Sequence, residues 1–199
     1  MATLVQELID LIIPPRPSEL LVRELTVPQL QALEQGDALP YHDPRVTALV
    51  WELKYYANRR AAVLAGALLG EKLLGVVAEE LGTPLLVPIP MHHSRRRERG
   101  HNQTEVLCRA AMNRLGAAVE YKPRALARMR ATPTQQGLAR SVRLKNVANS
   151  MQADKALVHD RVCIVVDDVS TTGATLEEAK RALRIAGARV VHGVVLARS

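Results

Sequence analysis

The stretch VCIVVDDVSTTGAT, residues 162–175, sets two adjacent carboxylates ahead of a loop rich in hydroxyls. A helix N-terminus offers unpaired backbone N–H groups and the positive end of its dipole. Ser170, Thr171, Thr172, Gly173, Ala174 and Thr175 therefore read as a cradle for a phosphate. Thr171, Thr172 and Thr175 add hydroxyl donors, and Gly173 lets the backbone approach the ligand closely. Two carboxylates beside that phosphate would repel it, so Asp167 and Asp168 must face something else. A vicinal diol suits them, because carboxylates accept hydrogen bonds from hydroxyls. A phosphate at one end and a diol beside it describe ribose 5-phosphate.

The elements around this stretch put it on the rim of a parallel sheet. Residues 162–166 are an unbroken apolar run with β-branched members, the pattern of a strand buried on both faces, and the acids stand where that strand ends. In LEEAKRALRIAG, Leu176, Ala179, Leu183 and Ala186 fall on one helical face, and Gly187 serves as the stop. ARVVHGVVLARS follows as a second strand, completing a strand–loop–helix–strand unit whose ligand belongs at the carboxyl end of the sheet. Upstream, TPLLVPIP is another buried strand, and MHHSRRRERG follows its end, so this basic run lies on the same rim. Asn102 to Glu105 has capping-box spacing and starts the next helix. Asp43-Pro44 starts an earlier one, with Val46, Leu49, Val50, Leu53 and Tyr56 as its buried face. Lys54, Tyr55, Arg59 and Arg60 then read as a solvated basic face, with a binding role as the alternative. A long Ala/Leu helix runs from there to about Leu81.

Composition narrows the classes. The 199 residues, 48% of them hydrophobic, suffice for one real core, built from Leu, Val, Ile and Ala because Phe is absent and Trp occurs once. A net charge of +7 favours anionic partners, a polyphosphate or nucleic acid. Cys108 and Cys163 both fall in apolar patterns without metal-ligand spacing, which points to a reducing, cytoplasmic setting. His92 and His93 are adjacent and so splay apart, with no acid or cysteine nearby, and no metal site is expected there. No signal peptide is visible. AAVLAGALLG, residues 61–70, is too short to span a bilayer before Glu71 and Lys72 close it.

CIVVDDVSTTGAT resembles the ribose-phosphate signature of type I phosphoribosyltransferases, a hydrophobic strand, two acids and a T-T-G-x-T loop. More narrowly, VPIPMHHSRRRERGHNQ (87–103) and TPTQQGLARSVRLKNV (132–147) resemble the ComF family of phosphoribosyltransferase-like proteins, linked to DNA uptake in competent bacteria. The resemblance runs from about residue 41 to 199. It implies an α/β fold of the type I phosphoribosyltransferase kind, a mainly parallel sheet flanked by helices, with residues 1–40 as an appendage. The implied ligand is 5-phosphoribosyl 1-pyrophosphate with Mg2+, oriented by Asp167 and Asp168. Residues 90–93, His92 among them, occupy the position of the family's pyrophosphate loop. Arg95, Arg96, Arg97 and Arg99 then stabilise pyrophosphate, or else form a solvated charge run or grip nucleic acid. Relatives often carry a cysteine-based zinc module at the N-terminus; this chain has no cysteine there, so no zinc is expected. Where His101 stands, the family usually has an aromatic.

Residues 124–149, with Arg124, Arg128, Arg130, Thr132, Gln135, Gln136, Arg140, Arg143 and Lys145, occupy the place of the lid that such transferases close over the reacting centre. The rival reading is a nucleic-acid groove, for which Tyr121 is the sole nearby stacking side chain. Two functions follow: a transferase that releases pyrophosphate from its donor, or a non-catalytic module that senses the donor while its basic face engages single-stranded DNA or a DNA-uptake helicase.

Overall fold

A computed structural model describes residues 14–131 and 147–199. In chain order these form helices α1 (Pro17–Glu24) and α2 (Val27–Gln31), strand β1 (Leu39–Pro40), and helices α3 (Pro44–Tyr56) and α4 (Arg59–Ala78). Strand β2 (Leu85–Pro88), helices α5 (His93–Arg99) and α6 (Gln103–Leu115), and strands β3 (Glu120–Tyr121), β4 (Leu126–Arg128) and β5 (Met151–Ala153) follow. Helix α7 (Lys155–Val158), strand β6 (Val162–Ser170), helix α8 (Ala174–Ile185) and strand β7 (Val190–Arg198) complete the order.

The main sheet has the order β1-β7-β6-β2-β3, and all its pairings are parallel. β6 sits at its centre. Alternation along the strand sends Ile164 and Val166, with Leu86 and Leu196, into one core shared with α3, α4 and α6. Cys163 and Val165 point the other way, with Leu85, Val87 and Val195, onto the buried face of α8. Both faces are covered, as the unbroken apolar run predicts. The strand is longer than that run, however. β2 stops at the Pro88–Val166 pairing, while β6 continues along β7 to Ser170. Asp167 and Asp168 therefore lie inside β6, at the step where one neighbour has ended.

α4 extends well beyond the 61–70 segment. Its 20 residues are long and apolar enough to cross a membrane by length and composition, although half of its most apolar stretch is buried against the rest of the protein. That face seats on α6 through two glycines. A methyl group at Gly70 would meet Arg114 Cβ at 2.8 Å, and one at Gly66 would collide with Ala110. The helix is thus the back wall of the core.

Residues 14–40 pack into the same body: Val22, Leu25, Leu30 and Leu39 are buried in the core, and β1 adds an edge to β7. The proline cluster at 14–17 begins a helix, because Pro17 fills its first turn. Buried Glu52 anchors this region by accepting from Arg16 Nη2 at 2.9 Å, Ser18 Oγ at 2.7 Å and Asn58 Nδ2 at 2.9 Å. Burial pushes its pKa up, but these hydrogen bonds outweigh burial and hold it below the ordinary carboxylate range. Tyr56, expected on the buried face, is exposed. α3 ends there, and Arg16 lies 3.7 Å above its ring.

Asp43 caps α3, accepting from Arg45 N–H at 2.9 Å, and α8 stops at Ile185, two residues before Gly187. β4 and β5 form a separate antiparallel ribbon. Of the expected lid, Thr132, Gln135, Gln136, Arg140, Arg143 and Lys145 lie outside the described residues, as does LVQELIDLII, residues 4–13, whose sequence pattern is that of a short amphipathic helix.

Candidate functional site

The premature end of β2 opens a cleft of about 670 Å³ at the carboxyl ends of β2 and β6. Asp167, Asp168 and Val169 form its floor, and Thr171, Thr172 and Thr175 one side. Met91, Arg95 and Arg99 face them from the segment after β2, and Tyr41, Lys54 and Tyr55 form the outer wall. A side pit of about 70 Å³ is lined by Asp167 and residues 169–175. Among the described residues it has no lysine or arginine on its wall.

The pit is a consequence of how α8 begins. Gly173 has φ 77°, the left-handed region, and a Cβ there would meet no atom within 4 Å. The backbone angle, rather than crowding inside the protein, is what asks for glycine here. As N-cap it brings no side chain to the first turn, and Ala174 N–H has Thr172 Oγ1 only at a long 3.4 Å. The helix start thus keeps donors for a ligand, together with its dipole. The sequence-predicted cradle residues Ser170, Thr171, Thr172, Gly173, Ala174 and Thr175 all line this pit.

The acids are held by their own backbone. Asp167 carboxylate accepts from Asp168 N–H at 2.9 Å, and Asp168 Oδ1 accepts from Val169 N–H at 2.9 Å. Asp168 Oδ2 is buried without a hydrogen bond among the described residues, although Lys54 Nζ lies 3.3 Å away as an ion pair. Charge attraction holds across that distance, but an oxygen lone pair is left for another donor. Burial, reinforced by the Asp168 charge, raises the Asp167 pKa well above the ordinary range. For Lys54 burial acts in the lowering direction; Asp168 above all, then Tyr41 and Asp167, outweigh it, and the net shift is upward.

Lys54 is therefore a correction to the solvated-face reading. Its side chain is only 23% exposed because the last turn of α3 passes directly beside the acids. The usable signal was its place four residues after buried Val50, on the same helical face. Arg60, by contrast, anchors α1, donating to Val22 O and Leu25 O at 2.9 Å each.

The basic run divides. It forms α5, and only Arg95 and Arg99 reach the cleft; Arg99 stacks over the Tyr55 ring at 4.9 Å. Arg96 is ion-paired with Glu105 at 2.6 Å, and Arg97 is exposed outside the cleft. His92, expected at the substrate, is buried and caps α5 instead, its Nδ1 accepting from Ser94 N–H at 3.3 Å. Desolvation, with His93, Arg128 and Arg95 adding, lowers its pKa, which favours the neutral ring that capping needs.

Asn102 caps α6 by accepting from Thr104 N–H, while Glu105 turns to Arg96 and Arg109, so half of the expected capping box forms. Asn102 Nδ2 and Thr104 Oγ1 both donate to Ile89 O, at 3.0 and 2.7 Å, which fixes the rim after β2. His101, in place of the family's aromatic, sets Nε2 2.8 Å from Leu53 O and Nδ1 3.1 Å from Arg99 O, tying α3 to the end of α5. Tyr121 is partly buried and packs against the core.

Arg128, expected only as one of the basic residues of the lid segment, is the second such residue after Lys54. It lies on the cleft wall with Nε and Nη2 buried and without a hydrogen-bond partner among the described residues. Only its membership of a basic segment marked it. Among the described residues no three His, Cys, Asp or Glu side chains converge as a metal cage.

A family model described as "Phosphoribosyl transferase domain" matches residues 46–199. The DNA utilization protein YhgH of Salmonella typhi is 33% identical over 162 residues, spanning 79% of this chain and 69% of that one. Competence protein F of Haemophilus influenzae is 33% identical over 116 residues, 57% of this chain and 50% of the relative. A solved phosphoribosyltransferase from Corynebacterium diphtheriae superposes with a TM-score of 0.41 at 22% identity, covering 75% of this chain and 77% of that one. An allosteric regulatory enzyme of purine biosynthesis gives a TM-score of 0.44 at 15% identity, over 82% of this chain and 31% of its own.

Proposed function

Because the chain belongs to the ComF family of phosphoribosyltransferase-like proteins, we propose that its cleft binds 5-phosphoribosyl 1-pyrophosphate and transfers the phosphoribosyl group. The observation that carries this reading is the pairing of a phosphate-sized pit, without lysine or arginine on its wall among the described residues, with a buried Asp168 Oδ2 that has only the Lys54 ion pair there. The 5-phosphate takes the α8 N-terminus and the hydroxyls of Thr171, Thr172 and Thr175. The ribose diol donates to the acids, with Lys54 balancing the Asp168 charge. Arg95 and Arg99 face the diphosphate; Arg97 and His92 drop out of that role.

In the reaction the bond from the anomeric carbon to the diphosphate oxygen breaks, and the acceptor bonds to that carbon. The acids orient the ribose as positive charge develops on it. Magnesium fits a site with two adjacent acids and, among the described residues, no protein cage, since it is commonly held by one or two carboxylates plus substrate phosphates. When bound, it neutralises the diphosphate as it leaves. A reducing, cytoplasmic setting belongs to the same proposal, supported by two buried free thiols.

A second reading has one observation in its favour. Trp51 and Tyr55 are exposed with ring centroids 4.3 Å apart, and Arg99 lies over Tyr55. Aromatic faces beside arginines suit the stacking of single-stranded bases, in keeping with relatives named for DNA utilization and competence. Calorimetric titration with the donor, with and without magnesium, followed by a pyrophosphate-release screen against bases, tests the first reading. Donor binding strengthened by magnesium is expected; no binding under either condition refutes it.

A further inference from the structure

Two helices end at one side chain. α5 stops at Gly100, which turns the chain through the left-handed region at φ 78°, and Asn102 caps α6 directly after, so His101 is held between two fixed backbone positions. Its Nε2 lies 2.8 Å from Leu53 O and its Nδ1 3.1 Å from Arg99 O. Leu53 O is open to it because α3 closes irregularly. Ala57 N–H and Asn58 N–H both donate to Glu52 O, whereas a regular turn would send Ala57 N–H to Leu53 O. Both partners of the ring are carbonyl oxygens, which only accept. A neutral imidazole has one N–H and satisfies one of them; an imidazolium has two and satisfies both. Each carbonyl belongs to the last turn of a helix, the negative end of its dipole, which also favours a cation. The charged groups on the surrounding elements have their own positions. On α3, Glu52 holds Arg16 and Lys54 faces Asp168. On α5, Arg96 meets Glu105 of α6, Arg95 lines the cleft, Arg99 lies over the Tyr55 ring, and Arg97 and Glu98 are exposed. Lys54 and Arg99 work against an imidazolium; the two helix-terminal carbonyls work for it.

We propose that His101 is a positioning residue of the cleft: protonated, it clasps the α3 wall to the end of α5, and neutral, it releases one of the two. What it spans borders the ligand space. Leu53 is followed by Lys54 and Tyr55, the outer wall, and Arg99 stands across from them. The stacking of Arg99 on Tyr55 therefore depends on how closely these two backbones are drawn together. Histidine ordinarily changes charge between about pH 5 and 8, so the wall is drawn in toward the acid end of that range and loosened toward the other. A phenylalanine in its place would fill space but donate to neither carbonyl. The clasp goes beyond the donor reading, because it works on the wall with or without a ligand.

Trp51, the chain's single tryptophan, sits on α3 with its ring centroid 4.3 Å from that of Tyr55, so its emission reports on the wall. Ligand-free wild type, His101→Phe and His101→Lys are titrated between about pH 8 and 5, with melting temperatures recorded at both ends. Wild-type emission should pass through one transition and His101→Phe should show none. His101→Lys, permanently charged with three donors, should hold the acid-end emission throughout. Ribose 5-phosphate affinity is measured over the same range. The ratio of wild-type to His101→Phe affinity, in which the ligand's own ionisation cancels, should rise about three- to tenfold toward the acid end, the range that one net hydrogen bond commands. No transition in wild type, or the same transition in His101→Phe, would overturn the inference. So would an affinity ratio that does not change with pH. A His101→Phe variant that differs from wild type only by a melting temperature lowered equally at both ends would make His101 merely structural, and overturn it too. Wild type that binds no ribose 5-phosphate at any pH removes the donor reading; the emission of the three proteins then decides the clasp alone.

Discussion

Replacing Lys54 by Met removes a charge from the cleft while keeping much of the side-chain volume. At 3.3 Å from Asp168 Oδ2, the ion pair is worth about 5 kcal/mol of direct attraction at an effective dielectric of about 20. Removing one partner of a fully buried pair costs about 3–5 kcal/mol, because the other charge is left uncompensated. Asp168 meets that condition at 5% side-chain exposure, but Lys54 keeps 23%, and water there recovers part of the loss. The expected destabilisation is about 2–4 kcal/mol. For a chain of this size each kcal/mol moves the melting temperature by about 2–4 °C, so calorimetry near neutral pH should record a fall of roughly 4–16 °C. Donor affinity should fall as well, while inorganic phosphate affinity holds, since the pit lies beyond Val169. Solvated surface substitutions stay within about 0.5 kcal/mol. A melting temperature unchanged within that margin would show Lys54 to be an idle surface lysine and refute the charge balance drawn for the acids.

Asp167 holds a proton in the folded state that the unfolded chain releases above about pH 4, so stability should decline as pH rises from there through the raised folded value. Asp167→Asn cannot titrate; it should flatten that decline and melt above wild type near pH 8, and a slope like that of wild type would contradict the assignment. Gly173→Val forces a β-branched residue to φ 77° at a cost of at least about 1–2 kcal/mol, and should weaken phosphate binding at least tenfold; unchanged phosphate affinity in a folded variant would remove the cradle. Arg97→Ala should leave donor affinity within twofold, yet lower the salt slope of single-stranded DNA binding by about 0.7, the contribution of one phosphate contact. Loss of donor affinity would return Arg97 to the cleft.

What sequence made legible were features determined locally. The β6 run, the Asp43-Pro44 cap, the acids and the Thr-Thr-Gly turn depend on residues within a few positions of one another, and each appears in the fold. What it obscured depends on elements brought together from afar. Lys54 and Asp168 are 114 positions apart, and helical periodicity labels the lysine as solvent-facing with no knowledge of the acids beyond it. Arg128 sits in a ribbon paired with residues 151–153, a pairing that no local pattern announces. In α5 the arginines were readable as a group but not individually, because a seven-residue helix turns its side chains through every direction and only Arg95 and Arg99 face the cleft. Tyr56 fits the apolar period of α3 and is nonetheless exposed, since period alone does not say that the helix stops there.

The glycine seam between α4 and α6 has a consequence in time as well as in space. α4 is complete at Ala78, but the helix that covers its glycines is not finished until Leu115, 37 residues later. At roughly 5–20 residues per second, a ribosome needs about 2–7 s to make that interval. Throughout it, a 20-residue helix with the length and composition of a membrane span waits with its closest-packing face bare. The nascent chain thus presents a surface that the finished protein conceals. Folding of the α1–α4 half during synthesis must compete, over those seconds, with anything else that binds an apolar helix.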